Sequence, residues 1–121
     1  MIDSRILLTQ SEGRVFIVLP TGDVGGLVSE QVSLEVDDVL AEIDEAAAKE
    51  VVVDFSNVKF FGSCLLAAIQ RIWKHLRRHD GKLVLCNVPD VGLEVLRVSR
   101  FDELWPIYPS RQDAKSSLTP S

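Results

Sequence analysis

The chain has 121 residues, a formal charge of −5, 46% hydrophobic and 26% charged residues, which suits one soluble globular domain with a single core and argues against phosphate-driven nucleic-acid binding. Its two cysteines, Cys64 and Cys86, fall in no CxxC or Cys/His ligand spacing, so they indicate neither a zinc site nor a disulfide framework and are expected as reduced, buried thiols. No apolar run approaches the roughly 20 residues of a membrane span, and the start MIDSRILLTQSEGR lacks a basic, then apolar, secretory pattern; a cytoplasmic protein with no direct membrane insertion is expected.

Ile6 to Thr9 and Val15 to Leu19 are β-prone runs around the turn signal SEGR, which predicts a hairpin. VFIVL is apolar at every position, the mark of a strand covered on both faces. Pro20 and Gly22 end it, and TGDVGG makes a glycine-rich connection. From Ser33, a fitting N-cap, the period changes: Leu34, Val36, Val39, Leu40, Ile43 and Ala47 form a helical stripe, opposite a solvated acidic face of Glu35, Asp37, Asp38, Glu42, Asp44 and Glu45.

Val51 to Val53 are consecutive β-branched residues, a central strand that runs to Phe55. A turn with Phe60, Phe61 and Gly62 follows. Ser63 then opens a helix predicted to reach about His79, burying Leu65, Leu66, Ile69, Ile72, Trp73 and Leu76, with Asp80-Gly81 as its stop. Lys82 to Cys86 is the next strand. Asp90, the predicted N-cap after Pro89, begins a helix to about Arg100 with the stripe Val91, Leu93, Val95, Leu96 and Val98. A last strand near Trp105 to Tyr108 is an edge strand because of Pro106, and Ser110 caps a short helix through Lys115. The fold class is α/β: a mostly parallel sheet of about five strands with an N-terminal hairpin, and about four helices. Residues 1–115 form the domain and 116–121 a flexible tail.

Strand, turn and helix in that order require a right-handed crossover, and sites in such sheets gather at the carboxyl ends of strands. That places Ser56 to Cys64 on a functional edge. Catalysis has little to stand on. His75 lies roughly 18 Å along the helix axis from Ser63, out of reach as a base, and the run Gly62-Ser63-Cys64-Leu65 lacks the second glycine of a nucleophile elbow. Phosphate-loop and dinucleotide signatures are absent too. No enzyme activity, cofactor or metal is expected. Ser63 itself has two readings, a neutral cap or a modifiable switch at a helix N-terminus. Phe60 and Phe61 have two readings: both pack into the core or against the first helix, or Phe60 turns in while Phe61 faces outward as a candidate interface anchor.

The run Asp54-Phe55-Ser56-Asn57-Val58-Lys59-Phe60-Phe61-Gly62-Ser63-Cys64-Leu65-Leu66 resembles the motif Asp-Leu-Ser-x-Val-x-Phe-x-Asp-Ser-Ser-Gly-Leu of the STAS domain family, the sulfate-transporter and anti-sigma factor antagonist fold. The likeness is greatest to the small stand-alone bacterial anti-sigma factor antagonists. It extends through LCNVPDVGLEVLRVSRFDEL and IYPSRQDA, and is looser at Gly22-Asp23-Val24-Gly25. It implies a partner-switching binding module that captures an anti-sigma factor, a GHKL-type serine kinase. It also implies that the kinase phosphorylates the first serine of the motif, by position Ser63. Ser56, Asn57, Lys59, Phe61, Gly62, Ser63 and Cys64 are then the partner-binding residues. The chain departs from the motif with Gly62 for aspartate, Cys64 for the second serine and Leu65 for glycine. An alternative role in the same family is an accessory subunit of an ABC lipid or solvent-tolerance transporter, without a phosphorylation cycle. A small-ligand sensor acting over the same edge has no supporting motif.

Overall fold

The computed structural model describes residues 6–21, 29–58 and 63–118, with Ser29, Glu30 and Ser63 described by backbone alone. In chain order the elements are β1 (Leu7–Glu12), β2 (Val15–Pro20), α1 (Ser29–Glu45), β3 (Glu50–Asp54), α2 (Ser63–Arg77), β4 (Lys82–Cys86), α3 (Asp90–Val98), β5 (Ile107–Tyr108) and α4 (Arg111–Leu118), with a single 3-10 turn at Phe101–Glu103 before β5. The five strands lie side by side in sequence order. β1 runs antiparallel to β2, and β2 through β5 are parallel.

The apolar runs form the middle of the sheet because both of its faces are covered. Phe16, Val18, Val51, Val53, Leu83 and Leu85 point to one side, where they pack with α1, α2 and Leu96 of α3. Val15, Ile17, Val52, Val84 and Cys86 point to the other, where Ala114 and Leu118 of α4 cover them. α4 therefore takes in Ser116 to Leu118, three residues expected in the tail, because Leu118 joins this second core. No helix among the described residues is long and apolar enough to cross a membrane.

Several boundaries differ from the pattern reading. β1 continues to Glu12, whose partner is Val15 across a turn in which Gly13 takes a φ of +64°. α1 begins at Ser29 rather than at Ser33, since Val32 extends the buried stripe by a turn: Val32, Val36, Val39 and Ile43 face inward. Leu34 lies two residues from Val36, on the far side of the helix, and is 68% exposed. Ala47 leaves the stripe as an exposed residue with φ +52° beyond the helix end. Glu35 is buried instead of solvated. Its Oε1 accepts the backbone N–H groups of Ile6 (2.7 Å) and Leu7 (2.8 Å), and its Oε2 accepts the amide of Gln31 (3.2 Å), which offsets the cost of burying a carboxylate.

α2 ends at Arg77, two residues short of His79. The chain then closes in a left-handed cap: Asp80 has φ +57°, and the Gly81 N–H donates to the Leu76 carbonyl at 2.8 Å. A Cβ at Gly81 would lie 2.8 Å from the Lys49 carbonyl oxygen, so only glycine allows this approach. α3 stops at Val98, with Arg100 in the left-handed region, and Pro89, not Asp90, occupies its N-cap position without a side-chain bond. Gly92 and Leu96 form its inward face. Val91 and Val98, turned about 100° or more around the helix from that face, are 63% and 74% exposed. β5 is confined to two residues at the sheet edge, immediately after Pro106, in keeping with the missing donor of proline.

Candidate functional site

The carboxyl end of β3 is organised by its last residue, Asp54, whose side chain is 3% exposed. Oδ1 accepts the backbone N–H of Ser56 at 2.9 Å and the amide of Asn87 at 3.0 Å; Oδ2 accepts Arg111 Nε at 2.8 Å. An aspartate that bonds the N–H two residues on makes its own turn. Asn87, with φ +56°, is a residue type that tolerates the left-handed geometry needed to turn its amide back. Arg111 opens α4 and reaches Glu12 Oε2 at 2.6 Å, while Lys115 Nζ meets Glu12 Oε1 at 2.9 Å. One carboxylate thus fastens the exits of β3 and β4 to the start of α4, and a second fastens α4 to the hairpin.

Phe55 and Val58 are buried beneath the turn, with Val58 N–H donating to the Phe55 carbonyl at 2.9 Å. Ser56 and Asn57 between them are consequently exposed. Ser63 is the first residue of α2, and that helix has no acidic residue in its first turn. Leu65, the departure from the family glycine, is a core residue that anchors the helix start. Cys64 is half-buried. It lines, with Val32, Ser33, Val36, Ala67, Ala68 and Arg71, an apolar cavity of about 360 Å³ between α1 and α2. Of the predicted partner-binding residues, Ser56, Asn57, Ser63 and Cys64 thus come to the carboxyl edge and the adjoining helix start; Lys59, Phe61 and Gly62, like Phe60, lie outside the described residues. Of the α1 wall of the cavity the sequence pattern lacks Val32, which stands before the predicted helix start. That pattern also misses Arg111 and Glu12, which no local spacing connects to Asp54.

Neither cysteine is in a disulfide. Burial, reinforced by the neighbouring Asp54 charge, pushes the Cys86 thiol up to about 12, so it stays protonated and inert. His75 bonds Asp44 at the other end of α2 from Ser63, through Nε2 at 2.7 Å. Burial alone would raise the Asp54 carboxyl, but the bonds from Asn87, Ser56 and Arg111 together outweigh it and hold it below the usual range. Glu12 is lowered chiefly by its bond to Lys115, with Gln10 and Arg111 adding. Both carboxyls are depressed on folding, so their contribution is complete above the unfolded values of about 4 and is lost as pH falls through the folded ones. Urea midpoints should therefore be flat from about pH 7 to 5 and fall steeply below about pH 4. A midpoint that stays level to pH 3, to the nearest unit, would contradict a charged network.

The STAS domain model matches residues 7–114. A Bordetella bronchiseptica protein that carries the provisional name anti-sigma factor antagonist BtrV is 29% identical over 114 residues, 94% of each chain. Among solved structures, an anti-sigma-factor antagonist (STAS) domain protein from Planctomyces limnophilus is 29% identical with a TM-score of 0.76, the match covering 89% of this chain and 93% of that one. The Bacillus cell fate determinant SpoIIAA, in its phosphorylated form, shares the fold at a TM-score of 0.67 and 12% identity, over 93% of this chain and 99% of the other. With the family match spanning the sheet, all four helices up to Ala114, and the Asp54 turn, the chain belongs to the STAS domain family.

Proposed function

We propose that this STAS domain is an anti-sigma factor antagonist that works by partner switching in the cytoplasm. Its unmodified form binds an anti-sigma factor of the GHKL serine-kinase class, and phosphorylation of Ser63 by that kinase releases it. The observation that carries the reading is the position of Ser63. It opens α2, the helix that follows the exposed Ser56 and Asn57 in the chain, with no acid in the first helical turn.

A phosphoryl group there would add close to two negative charges at a helix N-terminus, where the positive end of the dipole favours an anion. The domain itself can hold that charge at little cost. A partner closed over the same edge must desolvate it, which is what makes one modification a release signal. The apolar cavity between α1 and α2 adjoins this edge through Cys64 and gives a partner side chain a dry seat. Support from relatives is of the same kind: BtrV is named among the antagonists, and SpoIIAA, alike in fold, occurs in unphosphorylated and phosphorylated forms.

The test is capture of a purified GHKL-type anti-sigma kinase. Wild type and Ser63→Ala should retain it, and Ser63→Asp should bind at least about tenfold more weakly. Equal capture by Ser63→Ala and Ser63→Asp would sink the switch. Mass spectrometry after incubation with the kinase and ATP should place a phosphoryl group on Ser63.

A further inference from the structure

The opposite ends of α1 and α2 carry a second constellation. His75 and His79 are four residues apart, and the cap that begins after His79 keeps the chain winding through both, so the two rings project from one side. Their centroids are 5.4 Å apart at an interplanar angle of 64°. Asp44, in the last turn of α1, comes to the same spot because α1 packs along α2, and its Oδ1 lies 2.7 Å from His75 Nε2. One ligand atom from each of the three residues lies within 4.8 Å of the others.

We propose that Asp44, His75 and His79 form a binding site for a divalent first-row transition ion of the zinc type. Two imidazole nitrogens and a carboxylate oxygen are a donor set suited to that class and unsuited to calcium or magnesium, which take oxygen ligands. At bond lengths of about 2.0–2.2 Å, ligand atoms in a tetrahedral shell stand roughly 3.4 Å apart. The widest spacing must contract by up to roughly 1.4 Å and the 2.7 Å His75–Asp44 pair must open by roughly 0.7 Å, which rotation of the exposed Asp44 and His79 side chains can supply. The ion enters between His75 Nε2 and the carboxylate, in place of the proton they share. A cavity of about 220 Å³ lined by Asp44, Ala47, Lys49 and His79 leaves room for a water to complete the shell. Lys49 beside this cavity, with Lys74 and Arg78 on the other flank of His75, lowers the affinity for a cation without blocking the ligands. Once bound, the ion ties the last turn of α1 to the last turn of α2.

Titration calorimetry of the full chain with zinc chloride in a non-chelating buffer tests the site, together with ¹⁵N spectra of the histidine rings. One ion per chain is expected, with the ring signals of both His75 and His79, the two histidines of the chain, shifted together. His79→Ala, an exposed position at which the fold is retained, should weaken binding by about tenfold or more, and Asp44→Asn should do the same. Cys64→Ser should bind zinc as wild type does. No binding up to roughly millimolar zinc, the weak end of specific association, would overturn the site, as would unchanged affinity in His79→Ala or loss of binding in Cys64→Ser.

Discussion

Replacing Asp54 by alanine is expected to remove about 3 kcal/mol of folding stability, from a total of about 5–15 kcal/mol for a domain of this size. The side chain is 3% exposed and holds three donors, the Ser56 N–H, the Asn87 amide and Arg111 Nε. Its loss leaves these part-buried donors without their acceptor, and an unmade bond costs about 1–3 kcal/mol where water cannot replace it. Arg111 keeps Glu12, and this places the effect at the lower end of the range for breaking a buried pair. Asp54→Asn does not rescue it, because an amide must present an NH₂ group to one of the surrounding donors. Urea denaturation would show the change as a lower midpoint at constant slope. A loss under about 1 kcal/mol would mean that the network is worth no more than a surface ion pair. The exposed Ser56-Asn57 turn hangs on the same carboxylate, so capture of the proposed anti-sigma partner should weaken in Asp54→Ala even at temperatures where it remains folded.

Trp105 should be the costliest single side chain to truncate, at about 3–5 kcal/mol for alanine. It is wholly buried, stacked on Phe101 with centroids 4.7 Å apart and edge-on to Trp73 at 6.3 Å. It thereby welds α2 to the turn that leads into β5. Its Nε1–H, however, has no hydrogen-bond partner among the described residues. Trp105→Phe removes that stranded donor along with some volume, and the gain from the first offsets much of the loss from the second. The phenylalanine variant should lie within about 1 kcal/mol of wild type. Thermal unfolding separates the outcomes: phenylalanine and alanine variants with equal losses would show that the indole N–H carries no penalty.

The sheet was legible wherever burial on both faces left an unbroken apolar run, and β2, β3 and β4 fall where VFIVL, VVV and KLVLC predict. Helices were less so, because an apolar stripe can be drawn in more than one phase. Leu34 and Val36 both fit the period of α1, yet only Val36 faces the sheet. Val91, Leu93 and Val98 fit α3, but the covering surface is only wide enough for Gly92, Leu96 and part of Val95. The sequence pattern puts Glu35 on the solvated face, since no local signal announces that the N–H groups of Ile6 and Leu7 at the start of β1 will arrive at it. At the candidate site the same limit applies. Asp54 and Ser63 could be singled out from a strand-turn-helix pattern, whereas Arg111 is brought to Asp54 from 57 residues away, by the closing of the sheet. The His75 and His79 spacing was visible, and Asp44 was not, for it approaches across a helix pair 31 residues distant.

The sequential strand order has a consequence for the making of the protein. Each strand pairs with the one synthesised before it, so the hairpin, β3 and β4 can assemble in turn as the chain leaves the ribosome. Asp54 emerges early, but its guanidinium partner sits on the last helix. Until Arg111 arrives, the carboxyl edge of β3 lacks the clamp that shapes its turn, and α4 has not yet covered Ile17 and Val52. The nascent domain thus acquires its sheet before the clamp on its carboxyl edge, and the proposed docking edge is complete only with the final helix.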